Sequence, residues 1–108
     1  MTAYIIVDID VHNPDEYRKY LALVTPTVLA CGGRYLIRGA ESEVVSGDWQ
    51  PKRVVLMEFP NLEVARHWVH CEEHAHIHAM RNQNAKANMV ILEASVDFTG
   101  SSAVLSDC

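Results

Sequence analysis

Apolar residues alternate with polar ones in four separate stretches, and between them they recur at helical spacing. The first alternation is Ala3 to Val11, rich in β-branched residues, and predicts a strand. Ile5, Val7, Ile9 and Val11 share one face; Tyr4, Ile6, Asp8 and Asp10 share the other. Asn13-Pro14-Asp15-Glu16 then has the form of a helix start, with Asn13 as cap and Pro14 in the first turn. Tyr17, Tyr20, Leu21, Val24 and Val28 make the apolar stripe. Pro26 predicts a kink, and Gly32-Gly33 the end of the helix.

Residues 34–46 predict a second strand, broken by a bulge or bend at Gly39-Ala40. Residues 52–59 predict a third, pairing with the second as a hairpin. Asn61 caps a second helix whose stripe is Leu62, Ala65, Trp68 and Val69. A break at Cys71 precedes a further helix from Glu72 to Asn84, and residues 88–96 predict the fourth strand. The order β-α-β-β-α-β is the ferredoxin-like arrangement, an α+β fold with an antiparallel four-stranded sheet covered on one face by helices. The expected division is one domain over residues 1–96 and a polar C-terminal tail over 97–108. The open sheet face is expected to carry Ile6, Leu56 and Ile91 beside Asp8, Glu58 and Glu93. That mixture predicts a homodimer in which two sheets close a dimeric α+β barrel around a polar-lined cavity.

The chain has 108 residues, 49% of them hydrophobic, which suits one soluble globular domain. Fourteen acidic against nine basic residues give a net charge of −5, which speaks against nucleic acid as a partner. No apolar run approaches the roughly 20 residues of a membrane span, and no signal peptide is visible. The expected location is cytoplasmic, with Cys31, Cys71 and Cys108 as reduced thiols.

Candidate chemistry concentrates between Trp68 and Arg81, where four of the six histidines fall between His70 and His78, with His67 just before. His74 and His78, four residues apart on a helix, share a face and could grip a divalent transition metal with Cys71 as a third ligand. The competing reading is a solvated polar helix face. Acid–base work on a small organic molecule is the favoured alternative. In that reading His74, His78, Glu58 and Asp8 move protons, while Arg38, Trp68, Arg81 and Glu93 bind the substrate in a pocket between the sheet and the second helical region. Against it stands the reading that the acids pair with Arg34, Arg38, Arg53 or Arg81 and hold the structure together. A non-catalytic ligand-binding dimer is the third reading.

Several segments resemble one family. Gly32-Gly33-Arg34 through Arg38-Gly39, Glu43-Val44 through Gly47-Asp48-Trp49 and Pro51 to Val55, and Met57-Glu58-Phe59-Pro60 follow its pattern. Trp68, Arg81 and Leu92-Glu93 stand at matching spacing. On these motifs the chain, over residues 3–95, is identified as resembling the domain-of-unknown-function family 1330 of the dimeric α+β barrel superfamily. The resemblance implies the ferredoxin-like fold and the dimer, and favours isomerase, lyase or cofactor-free oxygenase chemistry. Cys71-Glu72-Glu73-His74 departs from the family's usual Ser-Pro-Glu-Tyr, placing a poor capping residue before the next helix. Haem-degrading members of the superfamily carry a Trp-x-x-Ser…His pattern that Trp68, Cys71 and His78 resemble, so haem is a further candidate cofactor.

Overall fold

A computed structural model describes residues 1–94. The order is β1 (Ala3–Val11), α1 (Pro14–Ala30), β2 (Arg34–Ala40), β3 (Val54–Phe59), α2 (Leu62–His70), a 3-10 turn (Glu72–His74), α3 (Ala75–Asn84) and β4 (Ala85–Glu93). The strands lie in the order β2-β3-β1-β4, every neighbouring pair antiparallel. This is the ferredoxin-like fold. The expected tail from residue 97, with Cys108, lies outside the described residues.

Local chemistry explains the helix ends. Asn13 Oδ1 accepts from Glu16 N at 3.3 Å, and Asn61 Oδ1 from Val64 N at 2.9 Å. At the other end of α1, Gly32 N donates to Leu29 O and Gly33 N to Val28 O. That pair of bonds needs a left-handed residue, and Gly32 supplies it at φ +76°. Helix α1 runs through Pro26, which cannot donate to the backbone ladder. On either side of it, Thr25 donates its hydroxyl to Leu21 O at 2.8 Å and Thr27 its own to Val24 O at 2.6 Å.

One face of the sheet carries the core. Ala3, Ile5, Val7 and Ile9 of β1 and Val55, Met57 and Phe59 of β3 are buried beneath Tyr17, Tyr20, Val24 and Val28 of α1. Trp68 of α2, 1% exposed, lies 5.6 Å from Phe59 between ring centroids. Burying an aromatic of this size contributes about 3–5 kcal/mol against truncation to alanine.

Several boundaries differ from expectation, and the third strand starts at Val54 instead of residue 52. Strand β2 stops at Ala40, because two register shifts and Gly39 turn the chain away from β3, and residues 41–53 form a loop. The third helix is split: Cys71 sits at φ −62°, ψ 129°, its side chain caps nothing, and a 3-10 turn precedes α3. Strand β4 begins at Ala85, three residues early, since Ala85 pairs with Val11 directly after the helix. Pairing along β1 overrides the weak strand preference of Ala85-Lys86-Ala87-Asn88.

The open face also needs correction. Ile91 pairs with Ile5 and Glu93 with Ala3, so both belong to the helix-covered side. The open face carries Tyr4, Ile6 and Asp8, their partners Leu92, Val90 and Asn88, and Val54, Leu56 and Glu58.

Candidate functional site

Between the sheet's covered face, α1 and α3 lies a small cavity, in which about 40 Å³ can hold the centre of a water molecule. Its walls are apolar: Val7, Ile9, Val55, Met57, Val24 and Met89. Its polar groups are three arginines and three tyrosines, namely Arg38, Arg53, Arg81, Tyr17, Tyr20 and Tyr35. No carboxylate lines it among the described residues.

Strand β2 brings two of these groups to one face by an irregularity. In a regular strand Tyr35 and Arg38, three apart, would point to opposite faces. Here Tyr35 pairs with Met57 and Arg38 with Val55, because the register shifts between Tyr35 and Ile37. Met57 and Val55 are both core-facing, so Tyr35 and Arg38 both reach the cavity. The Arg38 guanidinium then lies 4.5 Å from the Tyr35 ring centroid and donates to Thr25 Oγ1 at 2.9 Å. A second shift after Arg38 comes with Gly39 at φ +92°. Arg53 packs its guanidinium against the Cα of Gly39, where any side chain would collide with it.

Arg81 supplies the most informative group. It is 9% exposed, and it is the only buried charged residue among those described. Its Nε and Nη2 donate to Asn82 Oδ1 at 3.2 and 3.1 Å. Its Nη1 donates to His78 Nδ1 at 3.3 Å. No carboxylate among the described residues pairs with it. A buried cation without a counter-charge costs free energy unless something else supplies one.

His78 is part of the support. Since Nδ1 accepts from Arg81, the ring proton sits on Nε2, which donates to Trp68 O at 3.1 Å. The imidazole stands edge-on to Trp68 at 4.8 Å. Burial lowers its pKa from the ordinary value, and the Arg81 charge lowers it further against the raising effect of Trp68 O. Burial raises the phenols: Tyr20 is pushed up to about 12 although Arg81 beside it pulls the other way. Tyr17 and Tyr35 are raised for the same reason. At neutral pH the cavity therefore presents cations and phenolic O–H donors.

The expected site residues separate into groups. Arg38, Trp68 and Arg81 line the cavity together. Asp8 and Glu58 lie on the opposite sheet face. Asp8 accepts from Trp49 Nε1 at 3.0 Å and from Lys52 N at 2.9 Å, pinning the 41–53 loop. Glu58 pairs with Arg34 at 2.9 Å. Glu93, exposed on the covered side at the end of β4, is beside neither. The expected pocket of carboxylates is thus not assembled within one chain. His74 and His78 do not meet around a common metal position, because both nitrogens of His78 are engaged; the same bonds leave it no nitrogen for haem iron. Instead, single ligand atoms of Cys71, Glu73 and His74 lie within 4.8 Å of one another. His67, His70 and His76 are exposed. Tyr17 and Tyr20 read from sequence as core, and only their hydroxyls, facing the same space as the arginines, mark them as part of a site.

Residues 2–95 match the family described as Domain of unknown function (DUF1330). No curated protein matches the chain. Among solved structures, a protein of unknown function from Rhodopseudomonas palustris superposes at TM-score 0.67 with 12% identity, over 89% of this chain and 84% of that one. SnoaB, a cofactor-independent oxygenase from Streptomyces nogalater, superposes at 0.61 with 10% identity, over 91% and 97%. A protein of unknown function from Bacteroides thetaiotaomicron, described as a possible oxidoreductase, superposes at 0.55 with 14% identity, over 85% and 96%. At these identities the likeness shows a shared fold.

Proposed function

The chain belongs to the DUF1330 family, and from that premise we propose that its cavity binds a small, largely apolar organic anion and stabilises negative charge on an oxygen of it. The observation that carries this reading is Arg81, buried without a counter-charge at the cavity wall. A carboxylate, phenolate or enolate would supply that charge, with Arg38 and Arg53 on the same cavity and the phenol of Tyr20 as a further donor. Its apolar body would lie against Val7, Val24, Val55 and Met57.

Such a site favours the ionised form of a weakly acidic substrate, since the anion gains fixed cations in a water-poor space. Isomerisation, elimination and cofactor-free oxygenation of enols or phenols all begin with that ionisation. That SnoaB is described as a cofactor-independent oxygenase fits this class. In this reading Arg81 and Arg38 hold the oxyanion, Trp68 walls the pocket, and His78 fixes the guanidinium of Arg81. A non-catalytic binder would use the same contacts without turnover.

Calorimetric titration with benzoate and its uncharged isostere benzamide tests the reading. A charge-assisted hydrogen bond is worth about 1.5–3 kcal/mol, so benzoate should bind at least roughly tenfold more tightly. Equal affinities would overturn it.

The open sheet face supports a second part of the proposal, that two copies pair through it. Val90 and Leu92 of β4 are half exposed beside Ile6 and Leu56. The same face carries Asp8 and Glu58, which would then act at the interface between the copies. A cytoplasmic setting suits the free thiols Cys31 and Cys71. No helix of the described residues is long and apolar enough to cross a membrane.

A further inference from the structure

The turn between α2 and α3 lies outside the cavity's chemistry and has its own. Helix α2 ends at His70, and Cys71 adopts an extended backbone. Glu72–His74 then form one 3-10 turn, with His74 N donating to Cys71 O at 3.1 Å. Cys71 stands just before that turn and is tied to His74 by the backbone bond, with Glu73 between them in sequence. Ligand atoms from the three lie within 4.8 Å of one another.

A second observation points to an occupant. Nδ1 of His74 is shut off from water and has no hydrogen-bond partner among the described residues. A polar atom in that condition calls for an unseen partner such as an ion or a water. Cys71 makes no capping bond with its side chain, so its sulfur is not committed to the turn.

We infer that Cys71, Glu73 and His74 form a three-ligand site for a zinc-like divalent cation. One thiolate, one imidazole and one carboxylate are the donors of borderline and soft metals; calcium and magnesium take oxygen alone. Three protein ligands leave a fourth tetrahedral position for water, since Cys71 and His74 are only half buried and Glu73 is exposed. All three ligands come from one short turn, so binding would lock the junction of α2 and α3 without closing a long loop. The site is independent of the arginine cavity, and neither nitrogen of His78 takes part.

Cobalt(II), which reports sulfur ligation by a charge-transfer absorption, is the probe, followed by its displacement with zinc. Full-length protein without a histidine tag should bind one cobalt with a thiolate band, and zinc should remove the band. Cys71→Ser should abolish the band. His74→Ala and Glu73→Gln should weaken binding by no less than the roughly 10–100-fold that loss of a supporting residue costs. His76→Ala and Cys108→Ser should bind as the parent does. Absence of the band from the parent would overturn the inference. So would a band that survives Cys71→Ser, or that disappears with Cys108→Ser. Circular dichroism of each variant separates lost ligation from lost fold.

Discussion

Arg81 donates through Nη1 to Nδ1 of His78, and this contact decides which nitrogen of the histidine carries the proton. The ring is held neutral between a guanidinium on one side and Trp68 O on the other. A second proton would have to displace Arg81.

That arrangement sets a pH dependence. Burial lowers the folded-state pKa of His78 below 6.5, so the unfolded chain takes up this proton at higher pH than the folded one does. The stabilising contribution is complete above the unfolded value and is lost as pH falls through the folded one. Urea midpoints measured from neutral pH down to about pH 5 should fall, and His78→Gln should fall less steeply. Parallel profiles would remove His78 from the explanation.

Arg81→Met should separate binding from folding. The replacement keeps apolar bulk and removes an unpaired buried charge. Unfolding free energy should stay within about 1 kcal/mol of the parent or rise. Benzoate should no longer raise the melting temperature. A variant that still responds to benzoate would place the anion elsewhere.

Gly39→Ala should cost about 1–3 kcal/mol, because a side chain at φ +92° is strained and meets Arg53. Combining it with Arg53→Ala relieves the collision and leaves the backbone strain. The double variant should therefore lose less than the sum of the singles, a coupling readable by chemical denaturation. Additivity would mean that Arg53 does not rest on Gly39.

Val90→Asp puts a charge on the open face midway along the edge strand β4, at a position 53% exposed in the single chain. Light scattering should find the parent at twice the chain mass and the variant at once. A monomeric parent would remove the pairing of sheets from the proposal.

Helix starts and core stripes were readable because they are local. Asn13 and Asn61 cap as their neighbours suggest, and Tyr17, Tyr20, Val24 and Val28 recur at helical spacing. The faces of β4 were not readable. Met89 and Ile91 alternate with Val90 and Leu92, so both faces are apolar and only pairing with β1 assigns them. The acids Asp8 and Glu58 share the open face as their alternation suggests, and there loop residues and Arg34 occupy them. The bulge expected at Gly39-Ala40 was visible from the glycine, but the earlier shift past Tyr35 has no such marker. It is that shift which turns Arg38 toward Tyr35.

Strand β2 is also an edge of the sheet, and an edge exposes a row of backbone donors and acceptors to any passing chain. Its two register shifts break that row within seven residues. A foreign strand would find no even ladder to extend. The irregularity that aims a guanidinium inward thus also guards the protein against fibrous self-association, and straightening β2 to simplify the cavity would leave it sticky.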